Sequence, residues 1–350
     1  ITTVALLCCL QSEPLWWALV PPASTLARLL LGRPNVQVTT EKSLDTHSRT
    51  RRKSGLAFDT GMADLKEAGL YDEFIKRPRF DGENLIICDK KLAKYISIPP
   101  GKESFSVDAQ RLTRSFLRNM LLDFIPEKQP NGAGTYASLM TTTIDQGTEG
   151  GFDPIVSADG AWSETRKLLL DQIPHYSGIG APDSYSLTNR GSVIAYSDRK
   201  ALTGQQIGDG SIKVSTWCAL PEDWIEMATG DMSKTEDAKR TVVEHCYDWD
   251  PRLVEEPVAR SLFMLPVRWE WSDRSGFTLI GDSAHVMTPV AGEGVNLEMQ
   301  DALVLSRAII WASSSPGATS VLPVEIKESE KDMFVRAKKT ADLTRHMMQW

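Results

Sequence analysis

The chain has 350 residues, of which 41% are hydrophobic, and a formal net charge of -7. That size accommodates one large domain or two intertwined ones around a substantial core, and the acidic balance argues against nucleic acid as the main partner, the short basic run Arg49-Thr50-Arg51-Arg52-Lys53 notwithstanding. No stretch of about 20 apolar residues occurs, so no membrane span is expected. The apolar opening, Ile1 to Leu10, lacks the basic flank that precedes a secretory signal. The five cysteines, Cys8, Cys9, Cys88, Cys218 and Cys246, are odd in number and lack metal-type spacing, so they read as reduced thiols of a cytoplasmic protein.

In chain order, the apolar run Leu15–Val20 predicts a strand, Ala23–Leu31 a helix, and Val36–Thr39 a second strand that ends at Glu41. Gly61–Phe74 predicts one helix, with Met62, Leu65, Ala68 and Leu70 near a period of 3.6. Two strands around a Lys-rich turn are expected over Leu85–Ile98, and an amphipathic helix over Arg111–Phe124. Pro126–Gly151 reads as loop with one strand, and Phe152–Ala158 as a strand closed by Asp159-Gly160. Between about 175 and 270 the pattern turns to strands: Ser192–Tyr196, Ala201–Gln206 and Ile212–Cys218, with Gly208-Asp209-Gly210 as a hairpin turn and Thr235–Cys246 as a helix. A buried strand at Phe277–Ile280, a helix at Gly294–Ala312, a small-residue loop at Ser313–Thr319 and a charged helix at Ile326–Met348 close the chain. No internal repeats occur. The order predicts an α/β fold: a Rossmann-like domain, an inserted, mostly antiparallel sheet, and a C-terminal helix.

The most informative segment runs from Phe277 to Asn296. A buried strand ends in Gly281-Asp282, Pro289 follows, and Ala291-Gly292-Glu293-Gly294-Val295-Asn296 opens a helix. Gly281 permits close backbone approach, Asp282 can accept from sugar-like hydroxyls, and the glycine-flanked helix start offers N–H groups and a positive dipole end to an electron-rich ring. Asp159-Gly160 is, taken alone, a turn. Arg111, Arg114 and Arg118 share a helical stretch, and a guanidinium suits pyrophosphate oxygens, although exposed arginine is the ordinary state. Glu41 stands where dinucleotide folds place an acid on ribose hydroxyls, and equally reads as a loop Glu.

The Phe277–Asn296 run resembles the second flavin motif of the class A FAD-dependent monooxygenases, the para-hydroxybenzoate hydroxylase-like family, and in particular its tetracycline-inactivating branch and fungal relatives. The resemblance covers about residues 15 to 345. It implies FAD as cofactor, with Asp282 on the ribitol and Gly281, Pro289, Gly292, Gly294, Val295 and Asn296 around the flavin. It also implies Asp159 near the pyrophosphate, and Arg118, with Arg114 and Glu41, on the remainder. NADPH would reduce the flavin, O2 would give a flavin hydroperoxide, and its distal oxygen would hydroxylate a small aromatic or polyketide-like substrate. The cofactor carries that chemistry, so no catalytic triad is expected. Gln205, Trp217 and Met264 of the inserted sheet, with Trp224 nearby, would line the substrate pocket, and a plain core role is equally open to each. His285 reads as structural or cofactor-adjacent rather than as a general base. Family members of this branch imply a monomer. The implied partition is 1–80, 106–165 and 275–320 for FAD, 81–105 and 166–274 for substrate, and 321–350 for a C-terminal helix. A cofactor-free small-molecule binder on the same fold, or a catalyst of non-oxidative rearrangement, are the other readings.

The sequence departs from the family at its opening turn. Gly-x-Gly-x-x-Gly is expected there, since backbone must approach the pyrophosphate, yet Ala18-Leu19-Val20-Pro21-Pro22-Ala23-Ser24 holds no glycine and two prolines. Codons for Leu15–Ser24, read from the third base of the Leu15 codon, permit Leu-Val-Gly-Ala-Gly-Pro-Ala-Gly-Leu. A similar shift over Arg51–Phe58 permits Gly-Gly-Ser-Leu-Asp-Leu-His. Two frame-shifted patches are therefore expected, with weakened FAD binding as the consequence. Pro126–Gly150 also reads as one strand short of the family pattern, and the C-terminus as truncated.

Overall fold

The computed structural model describes residues 1–8, 21–41, 53–57, 61–75, 85–98, 109–113, 120–121, 134–138, 141–144, 147–150, 152–169, 172–180, 192–206, 212–227, 230–231, 237, 240–241, 244–250, 253, 261–272 and 276–347. They fall into two compact units.

The first unit comprises Ile1–Arg77, Leu112–Pro174 and Met264–Thr344. Its sheet is parallel throughout, in the order Phe277–Leu279, Ile155–Ala158, Thr2–Cys8, Val36–Glu41. Parallel strands are covered on both faces and so read as continuous apolar runs rather than alternating ones; Val4, Ala5 and Leu6 are accordingly all buried. On one face, helix Pro21–Leu30 and helix Gly294–Ser314 pack Leu26, Leu30, Leu305 and Ile309 against Leu6 and Val156, with Leu322 and Ile326 beside them. On the other face, Ala5, Ile155 and Leu279 meet Trp271 and Met333, and the Trp271 and Phe334 rings stand edge to face at 4.5 Å. The C-terminal helix Ala318–Met347 thus supplies apolar residues to both layers. Each such fully buried Leu or Ile contributes on the order of 2 kcal/mol.

The second unit comprises Pro78–Arg111, His175–Phe263 and Arg345–Trp350. Its seven-stranded sheet runs Ser261–Met264, His175–Gly180, Ile212–Ala219, Lys200–Gln206, Ser192–Ser197, Leu85–Asp89, Lys94–Ile98. The registered pairs are antiparallel except Leu85–Asp89 with Ser192–Ser197. Asp198 and Arg199 both take positive φ, 27° and 61°, as a two-residue hairpin turn matched to strand twist requires. One face of this sheet buries Cys88, Val193, Ala195 and Leu202 against Cys246, Trp249 and Leu253. Cys88, Cys218 and Cys246 are free and buried. Among the described residues no helix is long and apolar enough to cross a membrane.

The architecture is the one expected, a Rossmann-like α/β layer, a mostly antiparallel sheet and a C-terminal helix, but several elements differ. The first described strand is Thr2–Cys8, and the strand expected at Leu15–Val20 lies outside the described residues. Thr2–Cys8 pairs with both Val36–Glu41 and Ile155–Ala158. The expected helix Gly61–Phe74 is two, Gly61–Glu67 and Tyr71–Ile75. Gly69, at φ +69°, ends the first, with Gly69 N–H donating to Lys66 O and Leu70 N–H to Leu65 O, a Schellman closure. Ala109–Thr113 is a strand paired with Lys53–Ala57 where the helix from Arg111 was expected, and Met120 and Leu121 are helical. Three short antiparallel strands, Gly134–Ser138, Thr141–Ile144 and Gly147–Gly150, replace the loop with a single strand. The last helix begins at Ala318, eight residues before the expected Ile326, and contains Pro323.

Candidate functional site

The fully buried strand Phe277–Leu279 leads into Gly281, which adopts φ 68° and ψ -147°, close to a region only glycine enters readily. A Cβ there would lie 2.7 Å from Pro22 Cγ and 3.3 Å from Glu298 Cγ, so the turn is also pressed between two helices. Helix Asp282–His285 follows at once. Ser283 is fully buried, and its hydroxyl points back to the carbonyls of Ile280 and Ser157, at 2.7 and 3.0 Å. Asp282 is half-buried, and among the described residues nothing donates a hydrogen bond to its carboxylate.

Behind the turn, Asp301 is completely buried on helix Gly294–Ser314. Its Oδ2 accepts the Gly281 N–H at 3.0 Å and lies 2.5 Å from His285 Nε2, and its Oδ1 accepts from Arg336 Nη1 at 2.8 Å. Burial pushes the Asp301 carboxyl up, but the charges and hydrogen bonds of His285 and Arg336 outweigh it and hold the group below the usual carboxylate range.

Gly292, left-handed at φ 74°, turns the chain into helix Gly294–Ser314. The side chain of Glu293, the residue before this helix, makes no cap hydrogen bond. Among the described residues no atom lies within 4 Å of a Cβ built on Gly292 or Gly294, so they leave the space beside these two positions open. The Gly292 N–H donates to Pro289 O at 3.0 Å, and the positive end of the 21-residue helix that follows suits an electron-rich ligand edge. Val295 and Asn296 point inward, at 2% and 3% exposure, and the Asn296 amide donates to Glu293 Oε2 at 3.1 Å. Pro289 is exposed, opening a single 3-10 turn.

Asp159 and Gly160, the latter at φ 86°, follow strand Ile155–Ala158. The Asp159 carboxylate serves its own turn, accepting from Ser157 Oγ at 3.0 Å and Thr165 N–H at 3.1 Å. A residue that sequence reasoning missed then joins the two turns. Arg166, only 1% exposed, donates from Nη1 to Ser283 O at 2.8 Å, from Nη2 to Ala161 O at 2.6 Å and from Nε to Gln172 O at 3.1 Å. Burial pulls its pKa down to about 10, against the opposing fields of Asp159 and Asp282. The available signal was the short spacing of Asp159-Gly160, Ser163 and Arg166, since Ser163 Oγ accepts the Arg166 N–H at 2.8 Å.

Of the other expected site residues, Glu41 ends strand Val36–Glu41 opposite Leu7, and Gln205 lies in strand Lys200–Gln206; the side chains of both fall outside the described residues. Arg114, Arg118 and the stretch 9–20 also fall outside them, as does the expected turn at Gly208-Asp209-Gly210. In the seven-stranded sheet Trp217 is 9% exposed, with its Nε1 donating to Thr203 Oγ1 at 3.4 Å, and Met264 is 4% exposed. Trp224 is buried as well. No cluster of potential metal ligands occurs among the described residues.

Residues 152–322 match the family model of the FAD binding domain. The chain is 25% identical to the monooxygenase asqM of Emericella nidulans, with 82% of each chain covered. It is 25% identical to the monooxygenase penA of Penicillium thymicola, over 93% of this chain and 92% of that one. Its fold is similar to that of Klebsiella pneumoniae HpxO crystallised with FAD, at a TM-score of 0.75 and 14% identity, covering 99% of this chain and 90% of that one. The matched domain spans both the Asp159-Gly160 turn and the Gly281-Asp282 turn, and the chain is similar to the FAD-dependent monooxygenases of the para-hydroxybenzoate hydroxylase-like family.

Proposed function

We propose that this chain binds FAD on its parallel-sheet unit and uses NAD(P)H and O2 to hydroxylate a small organic substrate, aromatic or polyketide-like, held by the mostly antiparallel unit. The observation that carries the reading is the Asp282 carboxylate, half-buried without a hydrogen bond among the described residues, in the same chain segment as a helix start that Glu293 does not cap and that the described residues leave open. Both features fit a ligand that brings hydroxyls to one and an electron-rich edge to the other. Asp282 would accept from the ribitol hydroxyls. The backbone of Gly292, Gly294, Val295 and Asn296 would stabilise negative charge on the flavin ring, with Pro289 shaping the approach. Gly281 would set the turn, Asp159 would hold the chain near the pyrophosphate, and Glu41, Arg114 and Arg118 would complete the dinucleotide contacts. Gln205, Trp217 and Met264 would select substrate. When bound, FAD supplies the transfer of reducing equivalents and the activation of oxygen, while the protein supplies position and electrostatics. The reading includes a cytoplasmic monomer.

Purified protein is expected to be yellow, to release FAD on denaturation, and to consume NADPH and O2 with incorporation of one 18O atom into a productive substrate. Colourless protein that takes up no FAD in titration supports the second reading, a cofactor-free small-molecule binder on the same fold. That reading is favoured by the absence of glycine between Leu15 and Ser24.

A further inference from the structure

We propose that Arg336, on the C-terminal helix, is a positioning residue for the Gly281-Asp282 turn, acting through Asp301; this rests on the FAD reading above only where cofactor affinity is the measure. The geometry is a relay of three polar side chains and one amide. Asp301, at 0% side-chain exposure, spends Oδ2 on the Gly281 N–H and on His285 Nε2, and Oδ1 on Arg336 Nη1. Arg336 is itself steered by its own helix, with Nε donating to Asp332 Oδ2 at 2.7 Å. The turn thus hangs from both of its ends, Gly281 and His285, on a single carboxylate.

An isolated carboxylate cannot stay ionised in such a site, because the desolvation penalty is several kcal/mol per ion. Without the guanidinium, Asp301 gains a strong incentive to take up a proton or to draw water in. Either change weakens the charge-assisted bond to the Gly281 amide, since acceptors lose strength when neutralised. The helix is keyed to the preceding strand as well, where Glu330 Oε1 accepts from Thr278 Oγ1 at 2.7 Å and from Trp271 Nε1 at 3.0 Å. Arg336 lies further along the helix and addresses the turn rather than the strand. A purely cohesive role for this helix needs only its apolar face. A buried charge relay ending on the backbone of the turn that carries Asp282 fixes where that carboxylate stands.

Hydrogen exchange of the FAD-free protein tests this without any appeal to activity. In Arg336→Leu, exchange of the 281–285 amides is expected to rise about tenfold, the size of one charge-assisted hydrogen bond. Apparent FAD affinity is expected to fall by a similar factor, and Arg336→Lys is expected to recover most of both. Ile326→Ala, a core change on the same helix, serves as the control for lost stability. If it accelerates 281–285 exchange as much as Arg336→Leu does, or if Arg336→Leu leaves that exchange unchanged, the proposal is overturned. Should Arg336→Leu fail to fold, Arg336→Gln is read by the same criterion. If the wild-type protein takes up no FAD, the cofactor reading fails and the exchange comparison still decides this one.

Discussion

Arg166 Nη1 donates to the carbonyl oxygen of Ser283 at 2.8 Å across 117 positions of sequence, which ties the Asp159-Gly160 turn to the Gly281-Asp282 turn. The remaining guanidinium nitrogens occupy the carbonyls of Ala161 and Gln172, so the fork closes a loop of backbone from three separate segments. Removing it strands three carbonyl acceptors. Arg166→Met is expected to destabilise the protein by about 3 kcal/mol in urea unfolding. Arg166→Lys is expected to recover less than half of that, because a point ammonium cannot reproduce the planar fork. Full recovery by lysine would show that charge alone matters here.

Gly281→Ala is expected to be the most damaging single-methyl change in this region. The positive φ and the 2.7 Å approach to Pro22 Cγ act together, and neither helix can withdraw without disturbing the buried residues beneath it. Backbone strain and overpacking together predict a loss of about 3 kcal/mol. The measurement is the shift in urea midpoint against Gly292→Ala, where φ is also positive but an added Cβ meets none of the described residues within 4 Å. Gly292→Ala is expected to cost only the conformational part, about 1 kcal/mol. Equal losses would mean that packing against Pro22 contributes nothing.

How legible these features were in the sequence follows from how local their causes are. The strand, turn and helix around Gly281 are written contiguously, as an apolar run, a glycine and a glycine-flanked helix start. The strand Thr2–Cys8 was not singled out from the sequence because its apolar run resembles others nearby, and it is distinguished only by its pairing with Val36–Glu41 and Ile155–Ala158, distant in sequence. The break at Gly69 was readable in principle, since a glycine near the end of a helical run is a ready C-terminal stop. Arg166 and Arg336 were not, because their acceptors come from distant segments and exposed arginine is the default. Asp301 left a trace: it is an acid on a helix whose neighbours Met299, Ala302, Leu303 and Leu305 are all buried.

Asp64 makes stability depend on pH. It is completely buried on helix Gly61–Glu67, and among the described residues neither carboxylate oxygen has a hydrogen-bond partner. Burial raises its pKa to about 7 from 3.8, with Arg307 and Arg336 opposing the rise and Asp301 and Glu67 adding to it. Between those two values the folded protein holds a proton that the unfolded chain has released. Stability is therefore greatest below the unfolded value and is lost as pH rises through about 7. The full effect is on the order of 4 kcal/mol. Thermal unfolding of the wild-type protein is expected to occur at lower temperature at pH 8 than at pH 5. Asp64→Ala should remove most of that difference, and an unchanged difference would assign it to other groups.

Glu330 brings Trp271 Nε1 and Thr278 Oγ1 to one carboxylate oxygen in a site where Glu330 is 6% exposed. Glu330→Ala leaves two buried donors unpaired, and a loss of about 2–4 kcal/mol is expected. Glu330→Gln keeps the acceptor oxygen and should restore most of it. Near-UV circular dichroism provides a second reading, because Trp271 meets Phe334 edge to face and lies 5.3 Å from Trp269, centroid to centroid. An unaltered aromatic signal in Glu330→Ala would argue against this anchor.

The final prediction concerns the opening turn, where the chain as translated carries Pro21 and Pro22 in place of a glycine motif. Pro suits the start of a helix, since its missing N–H would be unpaired there in any case, and helix Pro21–Leu30 begins at those residues. The same absence removes N–H donors from the site where a dinucleotide fold presents them to pyrophosphate. Replacing Leu15–Ser24 by Leu-Val-Gly-Ala-Gly-Pro-Ala-Gly-Leu, the sequence its codons permit in the shifted frame, should restore those donors. Two recovered charge-assisted hydrogen bonds predict an FAD affinity at least about tenfold higher, read by quenching of flavin fluorescence. Coding DNA that cannot encode this sequence in the shifted frame would refute the frame-shift account. Equal FAD affinity of the two proteins would show instead that the Gly281-Asp282 end and its partners suffice on their own.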